Sequence, residues 1–192
     1  MEQKKMNLVQ EDQYIIHEYT MAVLPFYTEN GVLHSLVYEK YRIIEVYKSP
    51  KMIIQDSCHF YGSSLIGRVD SALTILKKKR MIPILISESH NICMIPLSAF
   101  KKQACVWIAY KHVVDIMSMK NGAIITFSNH EKVKVELTKM TLERKLDIAG
   151  RLVSTYDLRN ENIKQLHKHQ FIAEDIDAYV VVSEFDGERF FH

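Results

Sequence analysis

Lys132-Val133-Lys134-Val135-Glu136-Leu137 alternates strictly between polar and apolar residues. A β-strand built from it sets its charges on one face and Val133, Val135 and Leu137 on the other, so it lies at the edge of a core with one side wet. Directly after it, Leu142, Leu146, Ala149, Val153 and Tyr156 recur at helical spacing. That spacing predicts an amphipathic helix over about residues 141–156, laid on the sheet that precedes it.

Upstream, the turn signals Ser128-Asn129-His130-Glu131 and Lys120-Asn121-Gly122 separate strands at Ala123 to Phe127, Val113 to Met119 and Cys105 to Tyr110. A further hairpin is predicted from Ile84 to Ser87 and Ile92 to Pro96, with its turn at Glu88 to Asn91. Before it, Ser49-Pro50 starts a helix, serine as N-cap and proline at the first helical position, running to about Phe60. Gly62-Ser63-Ser64 interrupts it, and a second helix carries Ile66, Val69, Leu73 and Leu76 on one face as far as Lys77-Lys78-Lys79-Arg80. Near the amino terminus, a strand from Tyr19 to Leu24 is stopped by Pro25, Glu29-Asn30-Gly31 turns, and Val32 to Glu39 returns. The apolar stretch Tyr41 to Tyr47 follows.

From Leu158 the periodicity weakens, apart from the short β-branched run Tyr179 to Val182. The expected fold is therefore α+β: mainly antiparallel strands, two short central helices and an amphipathic helix after the last hairpin. Residues 1–157 form one domain in this reading, and 158–192 an extension that is mobile or used in assembly.

With 47% hydrophobic residues, a chain of 192 can bury a core. Lys4 and Lys5 are followed by Asn7, Gln10, Glu11 and Asp12 where an export signal needs a continuous apolar region, and no apolar run is long enough to span a bilayer. A cytoplasmic, nucleoid-associated protein is expected, without membrane contact. Three irregularly spaced cysteines, Cys58, Cys93 and Cys105, predict reduced and buried thiols.

The overall charge of +2 is unevenly spread. From Lys48 to Lys120 there are eleven Lys and Arg against four Asp and Glu, while the flanks are net acidic. A concentrated positive field attracts polyanions and releases their counterions. Within this segment, Gly62-Ser63-Ser64 ahead of a helix offers backbone N–H groups, hydroxyls and the positive end of the helix dipole, and Arg68 adds a charge one turn further in. Such a group can hold a phosphate, although an N-cap role alone would also account for the serines.

Catalytic readings fit less well. Gly62 and Gly67 imitate P-loop spacing, but Arg68-Val69 stands where Lys and then Ser or Thr are required. Cys58, Cys93, Cys105, His59, His90 and His112 include no C-x-x-C pair for zinc, and Ser63 and Ser64 lack a G-x-S-x-G elbow. No cofactor and no enzymatic activity are expected. The rival from another class is a non-catalytic protein- or lipid-binding module of pleckstrin-homology-like type, since fold alone does not decide function.

Ser57-Cys58-His59-Phe60-Tyr61-Gly62-Ser63-Ser64-Leu65-Ile66-Gly67-Arg68 resembles the bacterial competence transcription factor family (ComK), with Tyr61 as an aromatic equivalent. Further matches stand at Ala22-Val23-Leu24-Pro25, Pro83, Pro96, Cys105, Trp107-Ile108, His112-Val113 and Thr126-Phe127-Ser128-Asn129, in the same order and spacing. The resemblance runs from about Tyr14 to about Leu146. It implies a transcriptional activator of DNA-uptake genes that binds A-rich and T-rich boxes in double-stranded promoter DNA through the minor groove. It also implies self-association as a dimer or pair of dimers, and delivery by an adaptor to a Clp protease. The short aromatic segment associated with that adaptor is not recognisable near Phe171.

A narrow minor groove over A-tracts has enhanced negative potential and favours inserted Arg or Lys. Arg68, Lys77, Lys78, Lys79 and Arg80 are the candidates for it, of which Arg68 and Lys77 fall at family positions. Ser63 and Ser64 join them as phosphate ligands, and Lys101 and Lys102 as further phosphate contacts. No helix-turn-helix is readable.

Overall fold

The computed structural model describes residues 8–77 and 82–174, with side-chain surroundings for 9–77 and 82–166. Lys78, Lys79 and Arg80, and the run Tyr179 to Val182, lie outside the described residues. Contacts group the chain into two compact units, residues 1–154 and 155–192.

In the first unit, β1 (Leu8–Glu11), β2 (Thr20–Tyr27), β3 (Leu33–Glu39) and β4 (Ile43–Val46) precede the helices α1 (Pro50–Phe60) and α2 (Leu65–Leu76). Strands β5 (Ile84–Ser87), β6 (Ile92–Pro96) and β7 (Trp107–Ala109) complete a seven-stranded sheet of order β1-β4-β3-β2-β7-β6-β5. Among the described residues only β1 and β4 pair in parallel; the other neighbours are antiparallel. A 3-10 turn at Tyr110–His112 leads into a three-stranded sheet of β8 (Val113–Met119), β9 (Gly122–Phe127) and β10 (Lys132–Val135), in the order β10-β9-β8. The helix α3, Lys139–Glu174, follows, and its residues up to Ser154 belong to the first unit.

Register explains the core. Val23 stands opposite Trp107, Val37 opposite Ile44 and Ile84 opposite Met94, so these side chains share one face of the large sheet. They form one buried cluster with Ile53, Ile54 and Cys58 of α1 and Leu65 and Val69 of α2, which lie on this face. On the opposite face Ala22, Leu85, Cys93, Ile95 and Ile108 are buried as well. Lys145 of α3 donates from Nζ to the Pro96 carbonyl at 2.6 Å, and a Cβ at Gly150 would stand 2.8 Å from the Tyr110 hydroxyl. These contacts tie the start of α3 to the end of β6 and to the 3-10 turn. All three cysteines are reduced and buried. Burial alone pushes the Cys93 thiol up to about 12.

Four local expectations change. Pro25 does not stop β2, which continues to Tyr27: β7 pairs with β2 only at Ala22 and Val23, so the missing proline N–H faces no partner strand. Residues 105–110 do not form one strand, because the chain leaves β7 at Ala109 and enters the 3-10 turn at Tyr110. The apolar face of α2 is Leu65, Val69, Ala72, Ile75 and Leu76, and Ile66 is 72% exposed. A one-residue step turns a helix by about 100°, so reading the stripe from Ile66 instead of Leu65 misplaces its start. Finally, α3 runs past Tyr156 to Glu174. Leu158, Arg159, Glu161, Lys164, Gln165 and Leu166 are good helix formers without an apolar stripe, so propensity sustains the helix where periodicity stops.

Candidate nucleic-acid interface

Helix α1 begins as its sequence requires: Ser49 accepts from the Met52 N–H, and Pro50 takes the first turn. The Ser49 hydroxyl also donates to Gln103 Oε1 at 2.8 Å, and Lys51 N–H donates to the Gln103 carbonyl. Residues 101–103 are thereby fastened to the start of α1, with Lys101 and Lys102 exposed beside it. Nearby, Lys48 is paired with Asp56 at 2.6 Å.

At its other end α1 stops in a Schellman arrangement. Gly62 adopts φ +75°, Ser63 N–H donates to the Cys58 carbonyl, and Gly62 N–H donates to that of His59. Glycine takes this left-handed geometry at little cost. Ser64 then caps α2, accepting from the Gly67 N–H at 3.0 Å. A Cβ on Gly67 would stand 3.3 Å from Ser64 Oγ and 3.5 Å from Ser63 Oγ, so both hydroxyls gather over the first turn of α2. Ser64 is exposed and Ser63 half-buried. The backbone donors, hydroxyls and dipole end needed to hold an anion are assembled here.

Arg68, one turn further on, is committed elsewhere. Its Nη1 donates to Glu88 Oε1 at 2.8 Å, its side chain is 15% exposed, and its Nε is buried without a partner. It anchors α2 to the β5–β6 turn. The same guanidinium partly offsets the burial that pushes the Cys58 thiol up to about 11. Lys77, in contrast, is exposed at the end of α2 with φ 52°, its N–H closing on the Leu73 carbonyl.

The predicted residues therefore occupy three stations. Lys101 and Lys102 stand at the start of α1, Ser63 and Ser64 at the turn between the helices, and Lys77 at the end of α2. Helices of this length separate consecutive stations by about 16 to 18 Å. Lys78, Lys79 and Arg80 follow Lys77 outside the described residues.

Sequence reasoning missed two residues beside the turn. Phe60 is 67% exposed and Ile66 is 72% exposed. Phe60 meets the Tyr61 ring edge-on at 5.1 Å between centroids, and Tyr61 lies 5.6 Å from the His90 ring. An apolar residue at a predicted helix end gives no sign of which way it will face, so only the fold could reveal this exposure. Trp107, by contrast, is fully buried, as expected for a lone tryptophan in a β-rich run.

Two histidines weighed above as metal ligands have other partners. His112 joins the Glu18 carbonyl at 2.7 Å and Ser128 Oγ at 2.9 Å, and burial holds its imidazole below the usual range. His90 Nδ1 lies 3.0 Å from Ser87 Oγ. Among the described residues no group of His, Cys, Asp and Glu could hold a metal ion, and no helix is long and apolar enough to cross a membrane.

Comparison with known proteins adds the context for these stations. The chain is 27% identical over 136 residues to the competence transcription factor of Bacillus subtilis (strain 168), covering 70% of each chain. No solved structure matches. The family model described as ComK protein matches residues 11–161. That span runs from the last residue of β1 through both sheets and both central helices into α3, and the chain belongs to the ComK protein family.

Proposed function

We propose that this chain is a competence transcription regulator, a sequence-specific DNA-binding activator of DNA-uptake genes. In this reading it binds A/T-rich promoter boxes, through the minor groove, as a dimer or pair of dimers. The observation that carries it is that the family match takes in the whole of residues 48–120, the most basic part of the chain, with the α1–turn–α2 segment inside it.

The three stations support a division of labour. Ser63 and Ser64, with the first free N–H groups of α2, take one phosphate. Lys77, and beyond it Lys78, Lys79 and Arg80, take the backbone or enter the groove at the other end of α2. At about 3.4 Å per base pair, a separation of some 18 Å corresponds to about five steps along one groove. Lys101 and Lys102 add contacts at the start of α1. Arg68 acts as a positioning residue, since Glu88 already holds its guanidinium. Delivery to a Clp protease by an adaptor rests on the resemblance alone, and the side chain of Phe171 lies outside the described residues.

The test is a titration of a labelled A/T-box duplex with the full chain over a range of salt. Affinity is expected to fall with a log–log slope of about −0.9 for each phosphate neutralised, or about −4 to −5 if five cations engage. Binding that ignores salt would overturn the reading.

A further inference from the structure

Among the described residues strand β8 has a neighbour on one side only, because it ends the order β10-β9-β8. An open edge presents unpaired N–H and C=O groups, and proteins shield such edges with charge, proline or short length. The other edge of this sheet is shielded: β10 has four residues, and its Lys132 and Lys134 are exposed. Strand β8 is not. It runs for seven residues without proline or lysine and exposes Val114 (68%), Met117 (52%) and Met119 (38%). Its irregularity is confined to the Val113/Asp115 end, leaving the rest in regular register.

The charges are arranged for self-pairing. Asp115 is the single charged residue of β8, and Lys120 follows the strand directly. Both are exposed, and neither is in an ion pair among the described residues.

We propose that β8 is the self-association surface: two copies of the chain pair β8 antiparallel to β8 about a two-fold axis at Met117. This deepens the self-association part of the proposed reading and rests on it. Two-fold symmetry sets each residue against the one equally far beyond the axis. Met117 then meets Met117, Ile116 meets Ser118, and Asp115 meets Met119 with Lys120 of the other copy alongside. Each three-stranded sheet continues into its neighbour, the two Met117 side chains lie against each other, and unlike charges stand one residue apart on either side of the axis. Moving the axis to Asp115 would set two carboxylates face to face, so charge disfavours that register.

The experiment is sedimentation equilibrium of the full chain without DNA. The wild type is expected to dimerise, and Asp115→Lys to weaken the dimer about tenfold by turning two attractions into repulsions. Combining Asp115→Lys with Lys120→Asp is expected to restore it to within about threefold, which no general loss of folding would do. Because Cys58, Cys93 and Cys105 are buried, Met117→Cys adds an accessible thiol. Mild oxidation is expected to link two copies at that thiol, whereas Lys132→Cys on the shielded edge stays unlinked. A dimer indifferent to Asp115→Lys, or unlinked at Met117→Cys, would overturn the β8 surface and leave self-association standing. A monomer at every concentration would overturn both. DNA binding is read separately, so none of these outcomes depends on it.

Discussion

Arg68 Nη1 lies 2.8 Å from Glu88 Oε1, joining the first turns of α2 to the β5–β6 turn across twenty residues of sequence. The arginine read from sequence as a groove candidate thus also ties the start of α2 to the β5–β6 turn. Charge-assisted hydrogen bonds of this geometry are stronger than neutral ones, and breaking one from either side leaves the other group short of a partner.

Arg68→Ala and Glu88→Gln are therefore expected to act in the same direction. Each should lower stability by about 1 to 2 kcal/mol in chemical denaturation and weaken DNA binding modestly. If Arg68 instead contacts DNA itself, Glu88→Gln frees the guanidinium and strengthens binding while Arg68→Ala weakens it. Anisotropy titrations of both variants separate the two cases.

Two glycines with positive φ are expected to respond unequally to alanine. A Cβ on Gly122 (φ +123°) would stand 2.0 Å from the Val135 carbonyl oxygen, so Gly122→Ala must break the β9–β10 register. A loss above about 3 kcal/mol or failure to fold is expected. At Gly62 (φ +75°) nothing lies within 4 Å, and Gly62→Ala should cost only the left-handed strain of about 1 to 2 kcal/mol. Thermal melts of the two variants provide the comparison.

Glu39 makes part of the stability depend on pH. Burial pushes its carboxyl up, but Arg42, Tyr14 and His17 outweigh this and hold it below its ordinary value of 4.5. A carboxylate depressed by folding stabilises above its unfolded value, and that contribution is lost as pH falls through the lower folded value. The Tyr14 hydroxyl donates to Glu39 at 2.8 Å. Tyr14→Phe is accordingly expected to cost about 1 to 2 kcal/mol at neutral pH, and less in acid once Glu39 is protonated. Urea denaturation at neutral pH and below pH 4 reads the difference.

Lys145 is 5% exposed, and burial holds its ammonium below the usual lysine range, with Cys105 opposing. Methionine keeps the apolar stem and removes the desolvation cost, so Lys145→Met should change stability by no more than about 1 kcal/mol. Lys145→Glu would set a carboxylate against the Pro96 carbonyl that now accepts from Nζ, and a loss of about 3 kcal/mol or more is expected. Equilibrium unfolding of both variants decides.

Much of the architecture was legible because its signals are local. Ser49-Pro50 and Gly62 bracket α1 where their backbone preferences place them, and the Lys120-Asn121-Gly122 turn joins β8 to β9. Pairings between distant segments were not legible. Nothing near Val23 says that it will face Trp107, and Pro25 read as a stop because only that pairing shows which side of β2 is open. The candidate site divides in the same way. The capping serines follow from their neighbours, while the commitment of Arg68 to Glu88 and the fastening of residues 101–103 to α1 are tertiary. The alternation that pointed to β10 also overstated its length, since the strand ends at Val135.

Affinity of the full chain for an A/T-box duplex, against a duplex of equal length with the boxes replaced by G·C, tests the DNA-binding reading most directly when both are measured at the same salt. Tighter binding to the A/T-box duplex, by about 4 kcal/mol or more, is expected of a sequence-specific regulator. Equal affinity for the two, or binding to neither, would contradict it.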